Sequence, residues 1–588
     1  MNDTIISGFY KKAAELSEKP CVHLEIESNW VSKSWNEVLA SVQAIADALI
    51  DLGIKKGDRV IIYGRTRFEW AVADFAVMAA GGICVPIYQS FNSERVAYIL
   101  NDTKPTIAFV EDEALLQVLD DAMRQVQSQE QIRVISMEDL GGVISMQSLI
   151  EDYKERDHTK SNLTVEAISP DDIATYVYTS GTTGSLKGVV LTHANLIGEV
   201  RAIEPVFSFS SDEIGLLWLP LAHVLGRMME VFHFVHGCQT AFANDMNRLP
   251  EIYREIRPHF VCGVPRMLEK IYERVHAHID SSSRLMRLVF KWAFSVGLKY
   301  GKLTQKHRFI RIPLRIKYAI AKALIFKKLK SRLGGRLYCF ICGGARLPED
   351  VGRFFHSVGI SVLEGYGLTE TFAAITVNRF DDYHFGTVGK PLPGFDIKLA
   401  SDGEILIRGS TVFKEYLNRP EDTKAVFTND GWFKSGDIGE YSRDGFLRIT
   451  GRKKEIIITA AGKNVAPQMI ETIMTDTPCI SHFVVFGDDK RYLVGLVTLN
   501  EEESLSYLEK HGYPIEDPKR VSQHPAIRRL IWKHIEEKNK KLASYETIKQ
   551  FKIVDGAFTI DGGELTPTLK LRRGEISKKY RDQLDSMY

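Results

Sequence analysis

The chain has 588 residues, with 76 lysines and arginines against 75 aspartates and glutamates, 44% hydrophobic residues and 26% charged ones. These values fit an ordinary folded protein and exclude disordered and collagen-like chains, and at about 150 residues per domain the length suggests three or four folding units. The longest nearly apolar run, Phe75 to Tyr88, has 14 residues, short of the roughly 18 that a membrane-spanning helix requires.

The first residues lack the charged and then apolar regions of a secretory signal, so a cytoplasmic location is expected, and seven scattered cysteines agree with a reducing compartment. Ser34-Trp-Asn-Glu37 is a capping box, and Val38, Val42, Ile45, Leu49 and Ile50 follow it at helical spacing. Strands are expected at 59–63, 83–87, 106–110 and 133–136, with helices over 67–80, 93–101 and 112–127 between them. That alternation implies a parallel sheet with helices on its faces. A second α/β stretch begins near Asp171, is interrupted by a helical segment at 281–336, and resumes at Gly335. There Tyr338-Cys-Phe-Ile-Cys-Gly-Gly reads as a buried strand entering a turn, with a zinc or redox pair as the weaker alternative. After Gly386 short β-like runs between Gly and Asp turns suggest an antiparallel, barrel-like element, and beyond Gly451 the pattern is mixed α+β. The expected fold is therefore α/β. A large N-terminal domain, 1–451, carries parallel sheets and a small barrel-like element, and a smaller α+β domain follows at 452–588.

The near-neutral total hides an asymmetry. From Ser281 through Pro348 there are 17 Lys and Arg and no Asp or Glu, interleaved with Leu, Ile, Val, Phe and Trp. Basic amphipathic helices of this kind suit the headgroup region of an anionic membrane. The alternative of equal weight is a helical pair packed on the body with a solvated basic face. Nucleic acid ranks last, because the charges alternate with aliphatics rather than stacking aromatics.

Tyr178-Thr-Ser-Gly-Thr-Thr-Gly-Ser-Leu-Lys-Gly188 combines glycines, hydroxyls and a lysine at a strand-to-loop junction, a composition suited to holding phosphate. It lacks the Walker spacing, which removes the main support for a P-loop enzyme. In order along the chain come Leu219-Pro-Leu-Ala-His223, Gly343-Gly-Ala345, Gly365-Tyr-Gly-Leu-Thr-Glu-Thr371, Ser435-Gly-Asp-Ile-Gly439, Gly451-Arg-Lys-Lys-Glu455, Gly462-Lys-Asn464 and Pro567-Thr-Leu-Lys570. Together these eight motifs resemble the adenylate-forming superfamily of acyl-CoA synthetases, adenylation domains and firefly luciferase.

The resemblance implies a two-step ligase using ATP, Mg²⁺ and coenzyme A: a carboxylate attacks the α-phosphate to give an acyl-adenylate, and a thiol then displaces AMP. It assigns the β and γ phosphates to Thr179, Ser180, Gly181, Thr182, Thr183, Gly184 and Lys187, the metal to Glu370 and the α-phosphate to Thr369. Adenine falls to Gly343, Gly344, Ala345, Tyr366 and Gly367, and the ribose to Asp437 and Arg452. Lys570 would bridge carboxylate and α-phosphate, where its charge lowers the repulsion between two anions. His223 would sit beside the carboxylate. Lys454 is implied as the hinge of a mobile C-terminal domain, and Lys463 as its thioester-forming counterpart to Lys570. Taken singly, each of these residues has a plain structural alternative, such as a core Tyr or a capping Asp.

Gly263-Val-Pro-Arg-Met-Leu-Glu-Lys270 and Leu565-Thr-Pro-Thr-Leu-Lys-Leu-Arg-Arg573 resemble the long-chain fatty acyl-CoA synthetases, which makes a fatty acid and CoA the implied substrates. Some members gate the acyl tunnel with a Trp four residues after the motif His. Here that position is Arg227, so the opening is expected to differ. A fatty acyl-AMP ligase or acyl-carrier-protein synthetase shares the first step, and an inactive membrane-bound lipid-binding scaffold is the alternative from another class.

Overall fold

The computed structural model describes every residue except 1–2, 28, 127–131, 181–185, 306–308, 516 and 567–569. The capping box starts its helix as expected. The Ser34 hydroxyl accepts from the Glu37 N–H at 3.3 Å, and the Glu37 carboxylate accepts from the Ser34 N–H at 2.7 Å. Two orphan donors of helix Trp35–Asp51 are thereby satisfied.

Two sheets dominate. The first has eight strands in the order Glu415–Tyr416, Leu186–Thr192, Ile173–Ser180, Ile83–Ile87, Arg59–Tyr63, Ile107–Val110, Arg133–Ser136 and Ile144–Ser145. Its pairings from 83–87 through 144–145 are parallel, while 173–180 and 186–192 form an antiparallel hairpin. The second has nine strands, and its parallel centre runs Ser361–Leu368, Cys339–Cys342, Phe260–Gly263, Ile214–Leu217, Gln239–Phe242 and Pro20–Ile26. Strands buried on both faces need near-continuous apolar runs, as in the fully buried Cys339-Phe-Ile-Cys342. Successive strand residues point to opposite faces, so Cys339 and Cys342 face apart and cannot share one ion. Burial pushes both thiols well above their usual range.

The chain divides into two compact units: Met1–Lys398 with Leu406–Lys434 and Ser442–Leu447, and Leu399–Ile405 with Ser435–Tyr441 and Arg448–Tyr588. Length alone suggested more. The reason for fewer is that neither large sheet is built from one contiguous segment: residues 20–34 belong to the nine-stranded sheet, whereas 59–192 build the other. A separate four-stranded sheet follows Gly386, in the order Phe395–Leu399, Glu404–Gly409, Phe433–Tyr441 and Leu447–Arg452. The smaller unit is α+β. Its three-stranded sheet, Ile480–Phe486, Leu493–Leu499 and Ile548–Ile553, shares a core with Ile470, Ile527 and Ile531 from two helices.

The basic segment is helical, as its periodicity indicates: Arg284–Gln305, Ile312–Ala321 and Lys327–Arg332, with a wide π turn at Lys322–Phe326. No helix among the described residues is long and apolar enough to cross a membrane.

Candidate active site

In the larger unit the candidate residues collect at strand ends. Thr179 and Lys187 are cross-strand partners in the hairpin. Its tip, with Gly181, Thr182, Thr183 and Gly184, lies outside the described residues, as does the Ser180 side chain. The Lys187 ammonium is 2.9 Å from the Asp422 carboxylate and lies 5.1 Å from the centre of the Tyr416 ring. The Tyr416 hydroxyl in turn donates to Glu370 Oε1 at 2.7 Å. Burial and the Glu370 charge push that phenol well above its usual range, so it stays protonated and serves as a donor. Two residues expected to handle phosphate and metal, Lys187 and Glu370, thus meet through Tyr416 and Asp422, which the motif reading did not single out.

Thr369 and Glu370 occupy a single 3-10 turn, Thr369–Thr371, directly after strand Ser361–Leu368. The chain leaves this turn through two left-handed residues that are not glycine, Phe372 at φ 47° and Ala373 at φ 97°. Such a conformation is costly and survives only where its surroundings fix it. Here the Thr371 hydroxyl donates to the Ala373 carbonyl, and the buried Glu199 carboxylate accepts from the Ala374 N–H at 2.8 Å. Burial raises the Glu199 carboxyl well above the usual carboxylate range.

Tyr366 lies on the same strand, opposite Thr376, with a register shift before Gly367. Gly367 is obligatory, since a Cβ there would stand 1.3 Å from the Ala373 carbonyl oxygen. Gly343, Gly344 and Ala345 follow the neighbouring parallel strand, where Cys342 pairs with Glu364, so this turn and the Tyr366 turn leave adjacent strands at the same end. Crevices outside the carboxyl ends of parallel strands are where open α/β sheets bind ligands. His223 caps helix Val224–Phe232, its Nδ1 accepting from the Leu225 N–H at 3.1 Å, and its ring stands edge-on to Tyr88.

Arg227 is not at an opening. It is fully buried, its Nε donating to Asp74 Oδ2 at 2.8 Å and its other nitrogens to Asp74 Oδ1 and the Thr175 hydroxyl. Beside this pair, burial and the Asp74 charge push the Glu230 carboxyl well above its usual range. The position that suggested a different tunnel mouth is a core ion pair.

In the smaller unit Asp437 is buried on strand Phe433–Tyr441, and Arg452 Nε meets its Oδ1 at 3.0 Å. Lys453 binds Asp402 and Glu404 at 2.6 and 2.7 Å, while Lys454 stands exposed in the one-turn helix Lys453–Glu455. Lys463 is exposed on a tight hairpin, where Thr459 N–H donates to the Lys463 carbonyl at 3.0 Å and Gly462 takes φ 69°. Lys570 closes a loop in which the Thr566 N–H donates to its carbonyl at 2.8 Å and the Thr566 hydroxyl accepts from its N–H at 2.9 Å. Crowding by protein, and then repulsion from Arg452, hold the Lys570 ammonium down at about 8, against the pull of Asp437 and Glu455. The residue as a whole is exposed, so water moderates this shift. Lys570 therefore shares an electrostatic neighbourhood with the Asp437–Arg452 pair.

Comparison with known proteins agrees with these motifs. The AMP-binding enzyme family matches residues 9–417, and the AMP-binding enzyme C-terminal domain matches 454–588. A Mycobacterium bovis protein named long-chain-fatty-acid–CoA ligase FadD15 is 34% identical over 570 residues, covering 96% of this chain and 93% of its own. The Rattus norvegicus long-chain-fatty-acid–CoA ligase ACSBG2 is 31% identical over 622 residues, covering 100% and 93%. Among solved structures, the adenylation domain of a carboxylate reductase from Mycobacterium chelonae superposes with a TM-score of 0.78 at 21% identity, covering 100% of this chain and 91% of that one. With both family matches and near-complete coverage by relatives above 30% identity, the chain belongs to the AMP-binding, adenylate-forming enzyme family, in its long-chain fatty acyl-CoA synthetase branch.

Proposed function

We propose that this protein is a long-chain fatty acid–CoA ligase, an acid–thiol ligase that works through an acyl-adenylate. The observation that carries the reading is the 34% and 31% identity, across nearly the whole chain, to relatives named for that activity. In the first step a carboxylate oxygen of the fatty acid attacks the α-phosphorus of ATP, and the bond to pyrophosphate breaks. In the second the thiol sulfur of CoA attacks the acyl carbon, AMP leaves with the bonding pair, and the thiol proton is released.

Both partners of the first step are anions, so positioned positive charge and hydrogen-bond donors supply most of the catalysis. Lys187 and Thr179, with Ser180, Gly181, Thr182, Thr183 and Gly184, hold the outer phosphates, and the nucleotide competes with Asp422 for the Lys187 ammonium. Thr369 contacts the α-phosphate, Lys570 joins it to the carboxylate, and His223 lies along the acid. Gly343, Gly344, Ala345, Tyr366 and Gly367 take adenine, while Asp437, oriented by Arg452, accepts from the ribose hydroxyls.

Magnesium typically takes one or two carboxylates together with substrate phosphates and waters. Glu370, with one oxygen held by Tyr416, suits that demand. Glu370 would hold the ion, whose added positive charge would offset that of the phosphates. For the second step we propose that residues 452–588 turn on 1–451 about a hinge near Lys454, bringing Lys463 and Gly462 toward the thiol. Support comes from the family matches, the second of which begins at residue 454. We further propose a cytoplasmic location with peripheral contact to an anionic membrane through 281–336, a reading supported by the 17 Lys and Arg and the absence of Asp and Glu from Ser281 through Pro348.

The test is AMP release from Mg-ATP and a saturated long-chain acid, with and without CoA. Turnover that needs CoA supports the ligase. Turnover or adenylate build-up indifferent to CoA would move the protein to the fatty acyl-AMP or carrier-protein reaction.

A further inference from the structure

Glu199 is a fully buried acid with no part in the chemistry described so far. It sits on helix His193–Ile203, which begins directly after the strand carrying Lys187, and it is 0% exposed. One carboxyl oxygen accepts from the Ala374 N–H at 2.8 Å, while the other is buried with no hydrogen-bond partner among the described residues. A buried polar atom without a partner is costly, and a methionine would fill the same space without one. Stability alone therefore does not account for a glutamate at this position.

The partner of that one hydrogen bond supplies a reason. Ala374 directly follows the two left-handed residues, Phe372 and Ala373, through which the chain leaves the Thr369–Thr371 turn. Neither has the freedom of glycine, so the turn keeps its shape only where its exit is tied down. Thr371 does part of this from within, its hydroxyl accepting from the Leu368 N–H at 3.0 Å and donating to the Ala373 carbonyl at 3.0 Å. Glu199 holds the exit from outside, from 175 positions away in the chain.

The same helix also reaches the other flank of Glu370. Its Asn195, fixed by a capping box with Thr192, donates to the carbonyls of Ser410 and Val412 at 2.8 and 3.3 Å. Gly198 lets the helix approach this segment, since an added Cβ would stand 3.0 Å from the Ser410 hydroxyl. The Phe413 N–H then donates to the Glu370 carbonyl at 2.8 Å, three residues before Tyr416, whose hydroxyl holds the Glu370 side chain. One helix thus brackets Glu370, through Asn195 and residues 410–416 on one side and through Glu199 and Ala374 on the other.

We propose that Glu199 is a positioning residue for adenylation: by accepting from the Ala374 N–H it fixes the turn that presents Thr369 to the α-phosphate and Glu370 to the magnesium ion. The inference deepens the ligase reading and rests on it for the roles of Thr369 and Glu370. Its effect is selective, because a preformed acyl-adenylate enters the second step without the outer phosphates, and that step does not need the metal ligand on the turn.

The experiment compares the full chain carrying Glu199→Met, Glu199→Asp or Glu199→Gln with the wild type. Burial raises the Glu199 carboxyl well above its usual range, so glutamine, the isostere of the neutral acid, keeps the acceptor. Methionine removes it, and aspartate withdraws it by one methylene. With Met or Asp, fatty-acid-dependent exchange of pyrophosphate into ATP is expected to fall about 10- to 100-fold, the scale of a misplacement of about 1 Å. Transfer from a synthetic long-chain acyl-adenylate to CoA should stay within about threefold of the wild type, and the Gln variant should exchange within about threefold. Calorimetry of Mg-ATP against ATP in EDTA needs no acid, and there Met and Asp should lose most of the affinity that Mg²⁺ adds. Full exchange by both Met and Asp would overturn the proposal, as would an equal loss in both half-reactions, an unchanged gain from Mg²⁺, or a Gln variant as slow as Met. A wild type that gains affinity from Mg²⁺ but exchanges with no long-chain acid refutes the ligase reading alone, and the calorimetry then decides the role of Glu199.

Discussion

Lys570 gives the sharpest prediction. Its ammonium lies at about 8 instead of the ordinary 10.5, and the proposed role requires the charged form. Protonated Lys570 predominates below that value and is lost as pH rises through it. At one unit above, roughly a tenth of the protein carries the charge, and adenylation by the wild type should fall about tenfold per unit beyond that point. Because water reaches the residue, the midpoint is expected between about 8 and 10.5. The assay is fatty-acid-dependent exchange of pyrophosphate into ATP, which isolates the first step from the titrating thiol of CoA. Lys570→Ala should lose on the order of 100- to 1000-fold near neutral pH, as expected for a donor aimed at developing charge. Lys570→Arg keeps its charge across this range. Its rate will be lower at neutral pH, but the alkaline decline should disappear. An alkaline limb unchanged in Lys570→Arg, or near-normal exchange in Lys570→Ala, would rule out the Lys570 ammonium as the charge that joins carboxylate and α-phosphate.

Tyr416→Phe keeps the ring beside Phe413 and Lys187 but removes the 2.7 Å hydrogen bond to Glu370. A bond to a charged group contributes about 1.5 to 3 kcal/mol, so kcat/KM for Mg-ATP should drop roughly tenfold to hundredfold with little change in Tm; an unchanged value at every Mg²⁺ concentration would remove Tyr416 from the site. Gly367→Ala places a methyl where the Ala373 carbonyl already stands, and the displaced turn should cost about 100-fold in adenylation, read by the same exchange assay; wild-type exchange would show that the turn relaxes freely. Arg227→Met leaves Asp74 buried without its counter-charge, a loss of about 3 to 5 kcal/mol. Thermal unfolding should show it, and adding Asp74→Asn should recover part of the loss; a single variant as stable as the wild type would contradict the ion-pair account.

How much of this could be read from the sequence depended on the range of the interaction. The Ser34–Glu37 cap spans three residues, and the strands 59–63 and 83–87 announce themselves by unbroken apolar runs, so both were legible. The motif residues were legible because the resemblance fixes their identities in order. Tyr416 was not: its partner Glu370 is 46 positions away, and Lys187 reaches it only because strand Glu415–Tyr416 pairs beside strand Leu186–Thr192. Arg227 was misplaced for a similar reason, since its partner Asp74 lies 153 residues away and nothing local distinguishes a buried arginine from one lining an opening. The basic segment shows the same limit. Its helices followed from periodicity, but Gly297 and Gly301, which settle the face that packs inward, act through contacts with Ser357 and His356.

Activation of the carboxylate as an acyl-adenylate can be read from the fate of its oxygen. With a long-chain acid labelled with ¹⁸O in its carboxylate, one turnover through an acyl-adenylate must leave one labelled oxygen on AMP, because the carboxylate oxygen that attacked the α-phosphorus departs with it. AMP carrying one ¹⁸O, with pyrophosphate unlabelled, is the predicted result. Unlabelled AMP, or label in pyrophosphate or inorganic phosphate, would contradict the adenylate route and with it the roles proposed for Lys570, Thr369 and Glu370.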